Sequence, residues 1–334
     1  MDNMYSTSYT LLEETHLQFP FASLCVDRKD LVPIKRDLSK RHLNVPEYFA
    51  KNVDRILNFE GRDDDTYVVT QPKCGTTWML ETAWLVLNDF DFEKGSTTIL
   101  QDRAPYLEFN TNNKRFESKM NTLNILKELK SPRLIKSHLS ASVLPTDLWK
   151  KKSKVIYVAR NVKDAFVSAY HFWTGIGVIS ISIEEYAEMF LNDRSILHPF
   201  WEHSLEFYEM RNEPNIYFTS YERMSKDLRT VIKDLCVFLG KPIPDEIILD
   251  EAERHLSFES MKNSLAGKLL QEAENSNNDF FIKNSLKEKF EFLRKGKVGS
   301  FKKELSEDII RKFDEWEERK LKVAGVTREE LYGV

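Results

Sequence analysis

The sequence is poor in cysteine, glycine and proline, and these shortages exclude several classes of protein. Three cysteines in 334 residues, widely spaced and without a CxxC pair, are typical neither of a disulfide framework nor of a zinc site. Only eleven glycines and eleven prolines are present, whereas collagen-like and low-complexity chains contain far more of both. Because 41% of the residues are hydrophobic and 12% are aromatic, the chain can bury a large core and is not predicted to be disordered.

The chain also lacks an excess of positive charge and any long apolar run. Its 49 lysines and arginines are outnumbered by 53 aspartates and glutamates, which is the wrong sign for a protein that binds nucleic acid or anionic membranes. No stretch approaches the roughly 18 apolar residues of a membrane span, and residues 1–10 lack the basic and apolar regions of a signal peptide. We therefore expect a cytoplasmic protein that binds neither nucleic acid nor membrane, and that holds any anion in a local site.

Short runs rich in β-branched residues alternate with helical patterns along the chain. Four runs are apolar almost throughout, as in strands that are buried on both faces. They predict strands over Thr66–Thr70, Arg133–Lys136, Lys154–Ala159 and Asn215–Thr219. Strands that alternate with helices predict an α/β fold with a central parallel sheet flanked by helices, in which ligands bind beyond the carboxyl ends of the strands.

Start and stop signals flank two of the helical patterns. Ser182 and Glu185 have the spacing of a capping box before an apolar run. Ser225 is predicted to cap a helix whose apolar residues lie between 228 and 239, and Gly240 is predicted to end it.

No internal repeat or long linker divides the chain, so we predict a single domain over residues 1–334. Its core is expected to span about residues 65–303, with segment 1–64 and a C-terminal helix over 306–321 packed on it. Polar stretches at Asn110–Ser118 and Glu272–Asp279 are typical of surface loops or lids.

The strongest local signal is a candidate phosphate loop, residues 73–78, which follows the first predicted buried strand and opens a helix. Gly75 permits a tight turn and close approach to an anion. The N–H groups of Gly75, Thr76 and Thr77, the helix dipole and the charge of Lys73 would all favour a phosphate. Because Lys73 precedes Gly75, the loop departs from the GxxxxGK[ST] pattern and a Walker-type ATPase is disfavoured. An ordinary strand-to-helix turn with a solvated lysine is the alternative.

The second predicted strand ends in Lys136, Ser137 and His138. Lys136 and His138 should point the same way because side chains alternate along a strand, so a cation and a neutral imidazole would face one ligand. The alternative is a histidine that only satisfies a hydrogen bond.

Arg160 and Ser168 suggest a second phosphate site, and a separate basic loop lies further along the chain. Arg160 ends the third predicted strand, and Ser168 lies two turns into the next helix, where the two can bracket an anion. Arg294, Lys295 and Gly296 form a basic, glycine-bearing loop, for which a solvated charge run is the alternative.

These motifs, in this order, resemble those of the cytosolic sulfotransferases, and the resemblance covers about residues 65–303. In character the sequence is similar to the insect members, a group that includes retinol dehydratase. The resemblance implies transfer of the sulfuryl group of 3′-phosphoadenosine 5′-phosphosulfate (PAPS) to a small hydrophobic acceptor such as a phenol, steroid or other alcohol. It also implies a metal-free reaction, with 3′,5′-diphosphoadenosine as product, in xenobiotic or hormone metabolism.

The resemblance assigns roles to individual residues. His138, in the segment that matches the family's KTHLP motif, would be the catalytic base, and the other catalytic residues would be Lys73, Lys136 and Ser168. The residues assigned to PAPS are Lys73, Cys74, Gly75, Thr76, Thr77, Trp78, Arg160, Ser168, Tyr221, Ser257, Phe258, Arg294, Lys295 and Gly296. Those assigned to the acceptor pocket are Tyr106, Phe109, Lys136, His138 and Phe172.

The sequence departs from the family at several of its motifs. Cys74 stands where the family usually has serine. At the start of a helix beside a lysine it is either a thiol of lowered pKa or a filler of a serine-sized space. Ser140 replaces the proline after the histidine segment, and Leu256 replaces a threonine that usually touches the nucleotide. The family's dimer motif, KxxxTVxxxE, is not matched over Lys302–Arg311, so monomer and homodimer both stay open.

Three alternative functions share parts of this pattern. A retinol-dehydratase-like enzyme would sulfate an allylic alcohol and then eliminate the sulfate. A binding protein would keep the nucleotide site without turnover, which the presence of Lys73, His138 and Ser168 disfavours. A kinase would need a Walker lysine and a carboxylate for Mg²⁺, neither of which the sequence places.

Overall fold

The computed structural model describes residues 5–13, 17, 19–28, 31–35, 41–109, 122–264 and 292–333. The two predicted polar loops, Asn110–Ser118 and Glu272–Asp279, lie outside these ranges. The strands in the described ranges are β1 (Ser6–Leu11), β2 (Phe21–Asp27), β3 (His42–Pro46), β4 (Thr66–Thr70), β5 (Leu134–Ser137), β6 (Lys154–Ala159) and β7 (Ile216–Ser220).

The helices surround the sheet formed by the last four strands. In chain order they are α1 (Glu47–Lys51), α2 (Asp54–Leu57), α3 (Thr76–Leu87), α4 (Phe92–Thr97), α5 (Leu100–Arg103), α6 (Thr122–Glu128), α7 (Thr146–Lys150), α8 (Val162–Gly175), α9 (Ile183–Leu191), α10 (Phe200–Glu209), α11 (Tyr221–Lys226), α12 (Leu228–Leu239), α13 (Glu246–His255), α14 (Glu307–Ala324) and α15 (Arg328–Tyr332). Residues 258–264 are also helical, and Ser300–Lys303 form a 3₁₀ turn.

The central sheet is parallel, with the strand order β5-β4-β6-β7. This confirms the predicted α/β fold with a parallel sheet between helices. Strands β4 and β6 have the predicted bounds, whereas β5 and β7 each begin and end one residue later than predicted. The apolar runs locate these strands well because both faces of the sheet are covered, so each run is buried on both sides.

Each face of the sheet has its own hydrophobic core. Tyr67 and Val69 of β4 pack among side chains of α8, α9, α10 and α14, and the rings of Phe166 and Phe313 lie 4.8 Å apart there. Val68 points to the opposite face, where α3, α12 and α13 cover the sheet. The C-terminal helix is therefore part of one core layer.

The strand order brings three predicted motifs to one edge of the sheet. The chain passes from β4 to β5 on one side and then crosses to β6 on the other side, so β4 has both as neighbours. Val69 is paired with Ser137 of β5, and Thr70 is paired with Val158 of β6. The segments that follow these strands consequently lie side by side at a topological switch point, where α/β folds bind their ligands.

Two of the predicted helix ends are confirmed and one is wrong. Ser182 and Glu185 form the capping box of α9, and Gly240 ends α12 with φ 73°. Ser225 does not cap α12, because it lies inside the short helix α11. The cap is Asp227, whose carboxylate accepts the Thr230 N–H at 3.0 Å.

The N-terminal segment contains a feature that the sequence analysis did not predict, an antiparallel sheet of β1, β2 and β3. Strand β1 is exposed along its whole length. Its sequence therefore lacks the alternation of apolar and polar residues from which a strand is predicted. The C-terminal helix, which was predicted over 306–321, is α14. It begins one residue later than predicted, after its cap Ser306, and continues to Ala324, three residues beyond the predicted end. Within the described ranges, no helix is both long and apolar enough to cross a membrane.

Candidate active site

One position of the candidate phosphate loop, Gly75, has a backbone conformation that only glycine can adopt there. Gly75 has φ 95°, and a Cβ atom there would lie 2.7 Å from Cδ2 of Tyr221. Lys73 also has a left-handed backbone, with φ 68°. The turn directs the first N–H groups of α3 out of the helix, where they have no intrahelical acceptor. These N–H groups and the helix dipole give this end of α3 a positive potential, which is favourable for an anion.

Lys73 lies between two aromatic rings. Its Nζ is 4.5 Å from the ring centroid of Phe172 and 4.3 Å from that of Phe292, and it donates a hydrogen bond to the Phe292 carbonyl at 3.2 Å. Burial, followed by the charges of Arg160, Lys136 and Arg294, lowers the pKa of Lys73 to about 7. The ammonium group is thus in an environment that an anion would stabilise.

His138 is held by hydrogen bonds at its backbone and at its ring. Its N–H donates to Oε1 of Glu108 at 2.6 Å, and its carbonyl accepts from Nε2 of His203 at 3.2 Å. Nδ1 lies 2.8 Å from the Thr70 carbonyl, which can only accept, so Nδ1 carries the proton. Burial, followed by the charge of Lys136, holds the pKa of His138 well below its usual value. The ring is therefore neutral, with the lone pair on Nε2.

Lys136 and His138 face the same aromatic ring, as their alternation along the strand predicts. Nζ of Lys136 is 4.4 Å from the centroid of Tyr106, and the His138 ring is 5.3 Å from the same centroid. Glu108 is fully buried nearby, and burial raises its pKa to about 7. Burial lowers the pKa of Lys136 to about 8, while the Glu108 carboxylate acts in the opposite direction.

Arg160 joins the phosphate loop to an aromatic surface. Its Nη1 donates to the Lys73 carbonyl at 2.7 Å, and its guanidinium lies 4.2 Å from the centroid of Tyr221. Tyr221 also meets Trp78 edge-on, with the centroids 5.4 Å apart. Ser168 is half-buried in α8, the helix that follows Arg160.

The basic loop, residues 294–296, packs on the segment that was assigned to the adenine. Gly296 has φ 63°, and a Cβ atom there would lie only 2.1 Å from the ring of Phe258. Ser257 is exposed, and its Oγ accepts the Ser260 N–H at 3.3 Å. The charge of Arg294 is among the causes that lower the pKa of Lys73, so the basic loop approaches the phosphate loop.

The chain after the basic loop is anchored by Asp164 of α8. Its carboxylate accepts the N–H groups of Gly299 at 2.6 Å and Phe301 at 3.0 Å, and the Ser300 hydroxyl at 3.1 Å. Three donors on one buried carboxylate fix where the basic loop ends.

The aromatic residues assigned to the acceptor lie on two sides of the site. Tyr106 and Phe109 are 6.1 Å apart, on the side of His138. Phe172 lies on the side of Lys73. The structure brings all three to the edge of the sheet where β4 and β5 end.

Cys74 does not have the lowered pKa that its position at the start of a helix suggested. The residue is 1% exposed, and burial raises the pKa of its thiol to about 12, despite the opposing charge of Arg160. Desolvation of the thiolate outweighs the helix terminus and the neighbouring cation. The interpretation of Cys74 as a filler of a serine-sized space is the one that its burial supports.

Sequence reasoning missed three residues that hold the site together: Glu108, Asp164 and His203. Glu108 is the one charged residue of the segment from Pro105 to Phe109, and a carboxylate among apolar residues was a usable signal. His203 lies in an amphipathic helix, where its position carried no such signal.

Comparisons with known proteins agree on one family. Residues 63–325 match the family described as "Sulfotransferase domain". The chain is 36% identical over 282 residues to the luciferin sulfotransferase of Photinus pyralis, with 80% of this chain and 74% of the relative covered. It is 32% identical over 283 residues to sulfotransferase 1E1 of Bos taurus, with 83% and 91% covered.

Solved structures show the same fold. A retinol dehydratase in a complex with retinol and PAP has a TM-score of 0.77 at 24% identity, with 95% of this chain and 97% of that chain covered. A mouse sulfotransferase complexed with PAP has a TM-score of 0.65 at 24% identity, with 85% and 94% covered. At this identity the likeness establishes the fold alone.

Proposed function

The chain belongs to the sulfotransferase family and is a sulfotransferase enzyme, and we propose that it transfers the sulfuryl group of PAPS to the hydroxyl of a small hydrophobic acceptor. The observation that carries the proposal is the position of His138. The neutral ring of His138 keeps a lone pair on Nε2. His138 lies beside Lys136 at the end of β5. The neighbouring strand β4 leads into Lys73. A base and two cations at one edge of the sheet are what sulfuryl transfer to a hydroxyl requires.

In this mechanism the acceptor oxygen forms a bond to sulfur while the bond from sulfur to the 5′-phosphate oxygen breaks. Nε2 of His138 takes the hydroxyl proton, and the electron pair of the breaking bond goes to the phosphate. Lys73 and the loop N–H groups stabilise the charge that develops on the bridging oxygen, and Lys136 stabilises the equatorial sulfonate oxygens. Side chains and backbone groups perform each of these roles, so no metal ion is assigned one.

The remaining nucleotide contacts follow the layout of the site. We assign the 5′-phosphosulfate to residues 73–78, and the adenosine to Tyr221 and the segment of Ser257 and Phe258. The 3′-phosphate is assigned to Arg160, Ser168 and the basic loop. In support, the buried Nε atoms of Arg160 and Arg294 have no hydrogen-bond partner within the described part of the chain. A phosphate oxygen is a fitting acceptor for such donors.

We propose that the acceptor is apolar except for its hydroxyl, because Tyr106, Phe109 and Phe172 flank His138 and Lys73. Retinol dehydratase has been solved in complexes with retinol and with androsterone, and acceptors of this kind are the first to test. We further propose that residues 1–334 work as one domain in the cytoplasm, with either a monomer or a homodimer as the active form.

A net elimination, in which sulfation of an allylic alcohol is followed by loss of sulfate, is the alternative outcome of the same chemistry. The likeness to retinol dehydratase does not favour it, because at 24% identity it shows the fold alone. Product analysis after incubation with PAPS and an allylic alcohol separates the two: a stable sulfate ester supports sulfation, and a dehydrated product with free sulfate supports elimination.

The proposal is tested with radiolabelled PAPS and a panel of phenols, steroids, aliphatic alcohols and sugars. We expect transfer to hydrophobic hydroxyl compounds, and no transfer at any acceptor would contradict the proposal. Arg160→Ala tests the 3′-phosphate assignment, because loss of a charge-assisted contact should weaken PAPS binding by about 1.5 to 3 kcal/mol. Adenosine 5′-phosphosulfate, which lacks the 3′-phosphate, should lose less affinity than PAPS in this variant, because Arg160 touches the phosphate loop only through the Lys73 carbonyl.

A further inference from the structure

A carboxylate of the protein itself, that of Glu304, forms ion pairs with the two cations of the basic loop. Glu304 follows the 3₁₀ turn at Ser300–Lys303. Its Oε1 accepts hydrogen bonds from Nη1 of Arg294 and, at 2.5 Å, from Nζ of Lys295, and its Oε2 lies 2.5 Å from Nε2 of His171. We call these four residues the Glu304 cluster.

Glu304 is ionised, and its ion pair with Arg294 is partly sheltered from water. The side chains of Glu304 and Arg294 are 17% and 16% exposed. Burial acts to raise the pKa of Glu304, but hydrogen bonds from Lys295, His171 and Arg294 outweigh it and lower the pKa to about 2. The carboxylate is therefore charged at neutral pH, and its ion pairs are less screened than those on an open surface.

The same two basic side chains are the ones that we assign to the 3′-phosphate. A guanidinium and an ammonium that are already engaged with one anion cannot give the same donors to another. While Glu304 accepts from Nη1 of Arg294, that N–H group cannot donate to a phosphate. The Nε of Arg294 has no partner in the described chain. Moreover, a phosphate bound beside Glu304 would be repelled by the carboxylate.

We propose that Glu304 is an internal competitor for the 3′-phosphate: it holds Arg294 and Lys295 in the nucleotide-free enzyme and weakens binding of 3′-phosphorylated nucleotides. This inference rests on the proposed function, since it presumes the nucleotide site. Its consequence is that Glu304 speeds the departure of 3′,5′-diphosphoadenosine (PAP) after transfer. The opposing interpretation, that Glu304 holds the basic loop in the shape that binds phosphate, predicts the opposite sign.

The test compares PAP with adenosine 5′-phosphate, which lacks the 3′-phosphate, by calorimetric titration of the parent and of Glu304→Gln. Glutamine keeps the size of the side chain and an acceptor oxygen but removes the charge. We expect Glu304→Gln to bind PAP about 5- to 20-fold more tightly. This is the scale expected when a partly screened ion pair no longer competes with the 3′-phosphate for the same donors. Binding of adenosine 5′-phosphate should change less than about twofold, and PAP should dissociate more slowly in a stopped-flow displacement.

Glu307→Gln is the matched control, because Glu307 is exposed three residues further along the chain and its replacement removes the same charge. It should leave both affinities unchanged. Glu304→Ala serves as a second variant should the glutamine variant not fold, and the same tightening is expected. Weaker or unchanged PAP binding, or an equal gain for both nucleotides, would overturn the inference. Failure of the parent to bind PAP would instead overturn the proposed function, and the inference with it.

Discussion

Replacement of His138 by asparagine tests the proposed mechanism most directly. The amide of the introduced asparagine can still donate to the Thr70 carbonyl, which Nδ1 of His138 contacts at 2.8 Å, while the basic Nε2 is lost. The chemical step should therefore slow by roughly 10² to 10⁴-fold, the contribution of a general base. Affinity for PAP should stay nearly unchanged, because other residues are assigned to the nucleotide. His42→Asn, at an exposed position on β3, is the matched control.

The pH dependence of the parent enzyme sharpens this prediction. His138 must be neutral to accept a proton, and burial together with Lys136 lowers its pKa well below the usual value. The rate should consequently stay constant as the pH falls through about 6.5, the ordinary pKa of histidine. It should decline only in more acidic solution. On the alkaline side, Lys73 and Lys136 have pKa values lowered to about 7 and about 8. They lose their charges as the pH rises in the nucleotide-free enzyme, so the rate at limiting PAPS, which reports the pKa values of the free enzyme, should fall there.

The assay is single-turnover transfer from radiolabelled PAPS to an aliphatic alcohol and to an acidic phenol, measured between about pH 5 and 9, a range that spans the ordinary histidine pKa. The phenol should be less affected by His138→Asn, since it is partly ionised without a base. The reasoning about His138 would be refuted by a variant that transfers to the aliphatic alcohol within a few-fold of the parent. An acidic limb centred near the ordinary histidine pKa in the parent would contradict the lowered pKa.

Three other residues give sharp expectations. Gly75→Ala should destabilise the loop by about 1 to 3 kcal/mol, because the backbone is left-handed and the new Cβ would lie 2.7 Å from the ring of Tyr221; a melting temperature equal to that of the parent, with intact PAP binding, contradicts this. Glu108→Gln should shift the alkaline limb of the rate to lower pH, because the Glu108 carboxylate raises the pKa of Lys136; an unshifted limb contradicts the coupling. Cys74 should resist alkylation in the folded enzyme and react only after denaturation, because it is 1% exposed; rapid modification of the native protein, detected by mass spectrometry, would show otherwise.

Local sequence patterns were sufficient for the parts of the fold that depend on local chemistry. The bounds of β4 and β6 follow from apolar runs that are buried on both faces. The turn at Gly75 follows from the need for a left-handed residue before a helix. The cap of α12 was misplaced by two residues because Ser225 and Asp227 both have capping side chains, and only the structure shows that a separate short helix ends at Lys226.

The contacts that shape the site depend on residues far apart in the chain, and for this reason they could not be predicted. Lys73 is held between Phe172 and Phe292, both of which lie far along the chain from the phosphate loop. The hydrogen bond from His138 to Glu108 is likewise set by the packing of the segment around Tyr106 against β5. No periodicity or local motif encodes such pairings, because they arise only when the sheet is assembled.

The electrostatics of the site are consistent with the proposed binding of a polyanionic nucleotide by a chain with a net charge of −4. Lys73 is surrounded by the charges of Arg160, Lys136 and Arg294, and both burial and these neighbours disfavour its charged form. A bound phosphate attracts the charged form of Lys73 and not the neutral form. Phosphate binding must therefore raise the pKa of Lys73 again. Nucleotide binding should therefore be accompanied by proton uptake above about pH 7, the pKa to which Lys73 is lowered. Because the cations are gathered at one edge of the sheet, the attraction is local and does not require a basic protein.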